Sequence, residues 1–386
     1  MTVSRLKDIP GIGVDKVGDA ADATGDPEFL RLENLDTDLR PPEVALAATR
    51  AAVDSDDANS YLPFQGHRSL RDAAAAHVGR LAGRTYDPAT ECVSTAGGLN
   101  GVLNTLLATV EAGDEIVICE PAYAGLVNRI RLAGGVPRFV RSSPATGGWY
   151  TDPEELAAAV GRRTAAVLMM SPSMPTGAVV GSEQWDALAS ALAPTDAWVI
   201  YDAAMERIRF DDQAPSHPAR HPDLADRTII VGSASKELRM IGWRVGWVVG
   251  PAGIMSDIGL VGLTNVVCQV GIAQQAVAAA LAAADADADV AAATRIWRER
   301  RDTVLDQLAG YPCVRPDGGW SLLVDTTQLG LPPAEASAHL FDRAKVATTP
   351  MDGWGPSGES YLRIVFANEP VERLAELGAR FRAALG

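Results

Sequence analysis

Apolar positions are grouped in short continuous runs through the first two-thirds of the chain, and each run is followed by a helical pattern of apolar and polar residues. In order the runs are ECVSTA from Glu91, DEIVICE from Asp114, VPRFV from Val136, AAVLMM from Ala165, AWVIYD from Ala197, TIIVGS from Thr228 and RVGWVVG from Arg244. Short β-branched runs that alternate with helices predict an α/β fold: a mostly parallel, seven-stranded central sheet covered on both faces. Several runs stop abruptly in polar or glycine-rich turns, STAGG, CEPAY, MSPSMPTG, YDAAMER and GSASK. Ligands of open α/β sheets bind at the carboxyl ends of the strands, so these turns are expected to line one site.

The tail has a different rhythm. A long amphipathic helix is predicted from about Val290 to Leu308, with Arg295, Arg298, Arg300 and Arg301 along it. Two apolar strands follow, WSLLVD from Trp320 and SYLRIVF from Ser360, with helices around them. The chain is therefore divided into an N-terminal arm over 1–45 that joins the small domain, a large domain over 46–289, and a smaller C-terminal α/β domain over 290–386. The ADADAD tract at 284–289 reads as a polar helix end or connector.

Composition narrows the functions available. The 386 residues are 47% hydrophobic and 22% charged, ample for a core and unlike a disordered chain. Asp plus Glu number 49 against 34 Lys plus Arg, a net charge of -15 that repels phosphate backbones and anionic lipid. Nucleic-acid and membrane partners are therefore not expected, although a local basic pocket for a small anion is not forbidden. Cys92, Cys119, Cys268 and Cys313 are widely spaced, which argues against both a zinc site and a disulfide framework. No metal is expected. The start lacks the apolar core of a signal peptide, and the apolar stretch at 258–284 carries Thr264, Asn265, Gln269, Gln274 and Gln275, which suit a buried helix better than a membrane span. A cytoplasmic location is the expectation.

The candidate chemistry centres on Lys236, which directly follows a buried strand in the turn Ser233-Ala234-Ser235-Lys236; Gly242-Trp243-Arg244-Val245-Gly246-Trp247 comes shortly after. Partial burial and a neighbouring positive charge favour a neutral amine, so this lysine suits Schiff-base chemistry, although a strand-end lysine also commonly only snorkels to solvent. No strand–GxGxxG–helix segment supports a nicotinamide dehydrogenase. His67, His77, His217, His221 and His339 fall in none of the strand-end turns, which leaves Ser/His/Asp catalysis without a base.

Eight motifs occur in order, SYLPFQG, STAGGLN, EPAY, SPSMPTG, YDAAM, SASK, GWRVGW and YLRIVF. On these the chain resembles fold type I pyridoxal-phosphate enzymes of the class I/II aminotransferase family, from about Arg31 to the C-terminus. The resemblance implies pyridoxal 5′-phosphate as cofactor, an amino acid and a keto acid as substrates, and a homodimer with composite active sites. It makes Lys236 the residue that forms the internal aldimine and moves the proton at the α-carbon. Asp202 becomes the partner of the pyridine nitrogen, Tyr123 the aromatic stacked on the ring, and Arg363 the clamp on the substrate α-carboxylate. Tyr61 would reach the phosphate of the neighbouring subunit. Physical chemistry agrees on the rest of the phosphate site. Gly97, Gly98 and Leu99 open a helix whose free N–H groups cradle an anion, Ser233 and Ser235 add hydroxyls, and Arg244 adds a planar guanidinium set between two tryptophans. Met351, Trp354 and Trp320 fall in turns that face the substrate in the family, though such residues are more often plain core.

The sequence departs from the family at the cofactor's phenolic oxygen. Met174 stands where the family has the asparagine of NPTG, and Met205 stands where it has a tyrosine, so both usual hydrogen-bond donors are replaced by thioethers. Each lost bond to a charged group is worth roughly 1.5–3 kcal/mol, so the aldimine is expected to stay protonated well above neutral pH. Asn265, Arg207 or a water would have to fill the gap in an ordinary transaminase. The leading expectation is a transaminase. The alternative is a lyase or synthase of the same fold, performing elimination, replacement, carbon–carbon bond formation or oxidation, on a substrate such as an S-adenosylmethionine-like or basic amino acid. A non-catalytic cofactor-binding domain is disfavoured by the joint presence of Lys236, Asp202, Arg244 and Arg363.

Overall fold

The computed structural model describes residues 3–9, 11, 13–210 and 216–386. Of the arm expected over 1–45, residues 1, 2, 10 and 12 lie outside these.

The apolar runs form one large sheet. Its order is Cys92–Thr95, Gly246–Val249, Thr228–Ser233, Trp198–Asp202, Thr164–Met170, Glu115–Glu120, Val136–Ala145 and Gly148–Thr151. The five strands from Thr228–Ser233 to Val136–Ala145 run parallel, whereas Gly246–Val249 is antiparallel to both its neighbours. The sheet has eight strands where seven were expected. The additional one, Gly148–Thr151, closes a hairpin with the end of Val136–Ala145. Its partner segment, RSSPA at 141–145, is polar and largely exposed, and the additional strand is only the four residues GWYT, too short to stand out as an apolar run.

Side chains alternate across the sheet, as the pleat requires. Ile116, Ile118, Leu168, Ile200 and Val231 pack on one face with Val102, Leu106 and Ile130 of the covering helices. Val117, Val167, Val199 and Ile230 pack on the other with Trp185, Leu188 and Val277. Both faces are buried, which is why the strands read as continuous apolar runs rather than alternating ones.

The tail forms a four-stranded antiparallel sheet in the order Cys313–Val314, Ser321–Asp325, Tyr361–Val365 and Thr349–Pro350. A separate core of Trp297, Trp320, Phe366 and Phe381 covers it, and Leu30 and Leu32 from the N-terminal segment belong to the same core. The link is a parallel pairing of Leu30–Arg31 with Val346–Ala347. The long helix is Ala286–Gln307 and starts inside the ADADAD tract, with Asp287 and Asp289 in its first turn, where carboxylates suit the helix dipole. Two of its arginines do not face solvent. Arg300 is buried, held by Asp38 at 2.7 Å and by the Ala367 carbonyl, and Arg301 lies over Phe210.

The apolar stretch at 258–284 is divided between two helices, Ala252–Asn265 and Gly271–Ala282. In the second, fully buried Gln274 accepts from His67 N at 2.7 Å and donates to Gln269 O at 3.2 Å, so its amide ties segments together. Among the described residues, no helix is long and apolar enough to cross a membrane and no His/Cys/Asp/Glu cluster is arranged to hold a metal ion.

Candidate active site

The five polar turns meet at the carboxyl edge of the large sheet around a cavity of about 280 Å³. Gly98, Leu99, Tyr123, Met174, Asp202, Met205, Ser233, Ser235, Lys236, Arg244 and Arg363 all line it. Gly97 stands directly behind: a Cβ there would come within 2.7 Å of Arg244 Nη2. Tyr61 does not line it and is 83% exposed. Val14, Asn34, Leu35, Met170, Ala204 and Ile241 complete the wall without having been anticipated.

Asp202 is the last residue of its strand and is buried. Among the described residues its side chain takes one hydrogen bond, from Ala204 N at 3.1 Å, and no cation pairs with it. Burial pushes its carboxyl up to about 6, against the opposing pull of the Ala204 N–H, Arg129 and Lys236. A buried carboxylate facing a cavity with spare acceptor capacity calls for a proton-bearing partner.

Lys236 shows the opposite shift. Its Nζ donates to Leu35 O at 2.9 Å and lies 4.9 Å from the centre of the Trp320 ring. Burial brings the ammonium down to about 8; Arg363 and Arg244 add to that, and Asp36 and Asp202 oppose it. A lysine so placed carries a substantial neutral fraction at physiological pH.

Arg363 sits in the middle of the strand Tyr361–Val365 and is buried. Its Nη2 donates to the Glu33 carbonyl and to Thr349 Oγ1 at 3.3 Å, its Nη1 meets only Met174 Sδ at 3.8 Å, and its Nε has no partner. Trp354 lies beneath the guanidinium at 4.8 Å. No carboxylate among the described residues pairs with it, so the structural ion pair that would account for an arginine in an apolar strand is missing. Burial lowers even this guanidinium to about 10. A cation this dry, with unused donors beside the cavity, is poised for an anion.

The helix Gly98–Thr109 begins at Gly97, which has φ +86° and provides no side-chain cap. Its first N–H groups are therefore left for a ligand. Ser233 and Ser235 stand beside this end, the Ser235 N–H donating to Ser233 Oγ at 3.2 Å. Arg244 closes the group from a left-handed backbone conformation, φ +53°, its Nη1 donating to Ile241 O at 3.0 Å and Ser235 Oγ at 3.4 Å. It is exposed on the cavity rim, so its place between Trp243 and Trp247 in the sequence does not enclose it. What distinguishes it is that no carboxylate among the described residues takes its charge.

Met174 and Met205 are both buried and both line the cavity. Neither residue suggested as a substitute donor is available to it. Asn265 donates to Asn104 Oδ1 at 2.8 Å, and Arg207 is bound to Glu237 at 2.6 Å and Asp287 at 2.7 Å. Trp320, Met351 and Trp354 are fully buried and support the site from behind rather than lining it. Trp354 packs edge-on against Tyr123 with ring centres 5.5 Å apart, fixing that ring at the cavity.

These residues fit pyridoxal 5′-phosphate. An anion cradle in which a Gly97 side chain would collide with Arg244, a buried carboxylate lacking a cation, and a depressed lysine amine face one another across a single cavity. The sequence model of the family described as Aminotransferase class I and II matches residues 30–381. Arginine–pyruvate transaminase AruH of Pseudomonas aeruginosa is 33% identical over 353 residues, covering 89% of this chain and 87% of that protein. The aspartate/prephenate aminotransferase of Thermus thermophilus is 31% identical over 377 residues, covering 97% and 92%. Among solved structures, the N-succinyldiaminopimelate aminotransferase from Mycobacterium tuberculosis superposes with a TM-score of 0.91 at 29% identity, covering 100% of both chains. The Thermus thermophilus aspartate aminotransferase with maleate gives 0.92 at 29% identity and the same coverage.

Proposed function

The chain belongs to the class I and II aminotransferase family of pyridoxal-phosphate-dependent, fold type I transferases, and from that premise we propose that it moves an amino group between an amino acid and a 2-keto acid with Lys236 as its proton-transfer residue. The observation that carries this reading is the placement of Lys236, Asp202 and the unpaired Arg363 around one cavity whose far end is an open helix N-terminus.

The N–H groups of Gly98 and Leu99, the hydroxyls of Ser233 and Ser235 and the Arg244 guanidinium would hold the cofactor's phosphate. Asp202 would keep a proton on the ring nitrogen, and that charge pair would stabilise the carboxylate in its ionised form. Tyr123, braced by Trp354, would cover the ring, and Lys236 would bind the cofactor's aldehyde carbon. When bound, the cofactor supplies an acceptor for the electron pair left as the substrate's Cα–H bond breaks. Arg363 anchors the substrate α-carboxylate through donors that its protein partners leave unused, which fixes the α-carbon relative to Lys236. The Lys236 amine would take the Cα proton and deliver a proton to the cofactor carbon that receives the amino group; its depressed basicity would make both transfers accessible near neutral pH. Arg244 and Arg363 raise no conflict with the acidic exterior, because each neutralises one anion inside the site.

A homodimer belongs to the same proposal. Tyr61 and Phe64 are exposed, as are Val267 and Val270 on the segment whose Gly271 packs against Ala58; burial of these against a second copy would bring Tyr61 to the neighbour's phosphate. The arm over 1–45 and the unit over 290–386 would then act together to carry Arg363. The lyase or synthase alternative, suggested by Met174 and Met205, is not favoured: the matched relatives are named aminotransferases across most of the chain.

Lys236→Ala is the test. It should lower turnover by at least about a thousandfold and remove the absorbance of the lysine-linked cofactor, while circular dichroism stays that of the parent. A variant that kept both would overturn the assignment.

A further inference from the structure

Glu120 ends the strand Glu115–Glu120 of the large sheet and is buried, yet the chemistry described so far gives it no part. A carboxylate in such a place needs hydrogen-bond donors. Both of those found here come from the segment that leads into the small sheet. Ser357 N donates to Glu120 Oε2 at 2.8 Å, and Ser357 Oγ donates to the same oxygen. Ser357 belongs to the helical turn Pro356–Ser360, which runs directly into Tyr361–Val365, the strand that carries Arg363. The approach is close: a Cβ at Gly355 would stand 2.7 Å from Glu120 Cβ. Just beyond Glu120, Ala122 N donates to Trp354 O at 2.8 Å.

The loop before the Arg363 strand is therefore fastened to the end of a large-sheet strand on either side of Gly355. The carboxylate makes the Ser357 bonds charge-assisted, roughly twice as strong as bonds between neutral groups. Trp354, on the same loop, lies beneath the Arg363 guanidinium at 4.8 Å and edge-on to Tyr123 at 5.5 Å. The Glu33 carbonyl and Thr349 Oγ1 hold Arg363 beside its own sheet, whereas Glu120 and Ala122 hold that sheet's leading loop to the large one. Misplacement of a reacting group by about 1 Å can cost about a hundredfold in rate, so this register matters to the chemistry.

We propose that Glu120 is a positioning residue for amino transfer: by clasping Ser357 it sets Arg363 against the large sheet and holds the substrate α-carbon within reach of Lys236. This rests on the reading in which Arg363 takes the α-carboxylate. The test uses the holoenzyme carrying Glu120→Ala, Glu120→Gln or Ser357→Ala, with three probes. One is the amino acid that the parent converts fastest in a panel, and another is the amine left when that amino acid loses its carboxylate. The last is propionate, its binding read from the absorbance of the bound cofactor. Glu120→Ala and Ser357→Ala should each raise the amino-acid KM and the propionate Kd about tenfold, the change that one charge-assisted hydrogen bond brings. Glu120→Gln keeps an acceptor oxygen and should recover most of that loss. Ser357→Ala should add nothing in the Glu120→Ala background. The amine offers Arg363 no carboxylate, so it should combine with the bound cofactor at parental affinity, and affinity for the cofactor itself should hold. Unchanged amino-acid and propionate affinity in the variants would overturn the proposal. So would a loss shared equally by amino acid, amine and cofactor, which is what loosening of the fold alone produces. A parent that converts no amino acid, with propionate binding still weakened by the variants, would uphold the clasp and overturn the amino-transfer reading instead.

Discussion

Lys236 owes its chemistry to where it is buried rather than to a dedicated activating base. Loss of solvent, with Arg363 and Arg244 nearby, brings its pKa from 10.5 to about 8 although Asp36 and Asp202 pull the other way. The sign is plain: depression of an ammonium pKa increases the neutral amine at any pH below the usual lysine range. Attachment of cofactor to the cofactor-free chain requires that neutral amine, so its rate should climb with pH and level off near 8, followed by stopped-flow absorbance. A rate still climbing tenfold per pH unit above about 9 would contradict this. At this scale the sequence was informative wherever a polar residue ended or interrupted an apolar run, as Lys236, Asp202 and Arg363 do. It was silent on the groups that hold Arg363, because the Glu33 carbonyl is a backbone atom and carries no signature of its own.

The proposed phosphate cradle is a product of three elements packed at backbone distance. Gly246 opens the strand Gly246–Val249, and a Cβ on it would stand 2.7 Å from Gly232 O, 2.7 Å from Gly97 C and 2.8 Å from Gly98 N. None of these atoms belongs to a flexible side chain, so the strand and the helix start must move apart if a methyl is added. Gly246→Ala should therefore cost about 1–3 kcal/mol of stability and weaken cofactor binding about tenfold or more, in line with loss of one charge-assisted hydrogen bond. Thermal unfolding and cofactor titration check the two effects, and full cofactor affinity would contradict the role given to this contact. The strands of the large sheet were legible because both faces are buried and each run is uniformly apolar. The hairpin strand Gly148–Thr151 and the two-residue pairing of Leu30–Arg31 with Val346–Ala347 were not, since edge and very short strands need no apolar run. That pairing explains why Val14, Asn34 and Leu35 were missed in the wall: a segment of weak periodicity reaches the cavity through contacts with residues far along the chain, which local spacing does not reveal.

Across the whole molecule, a chain with a net charge of -15 gathers Lys236, Arg244 and Arg363 at one cavity, where the proposal has them meet a phosphate and a carboxylate. Those cations come from both sheets, Lys236 and Arg244 from turns of the large one and Arg363 from a strand of the small one, so the cavity exists only when the two are held together. Arg300, buried between Asp38 and the Ala367 carbonyl, is one of the ties between the N-terminal segment and the small sheet. If Tyr61 completes the neighbouring site of a homodimer, subunits carrying Tyr61→Ala and subunits carrying Lys236→Ala should recover activity when mixed, because one site of each mixed dimer then has both residues. Mixing without recovery, with exchange confirmed by mass spectrometry, would contradict the composite site. The most direct test of amino transfer is the half-reaction of the holoenzyme with each member of an amino-acid panel in the absence of a keto acid. Amino transfer predicts stoichiometric conversion of the bound cofactor to its amine form with release of one keto acid, reversed by adding a 2-keto acid. Consumption of the amino acid with the cofactor left in its lysine-linked form would contradict it.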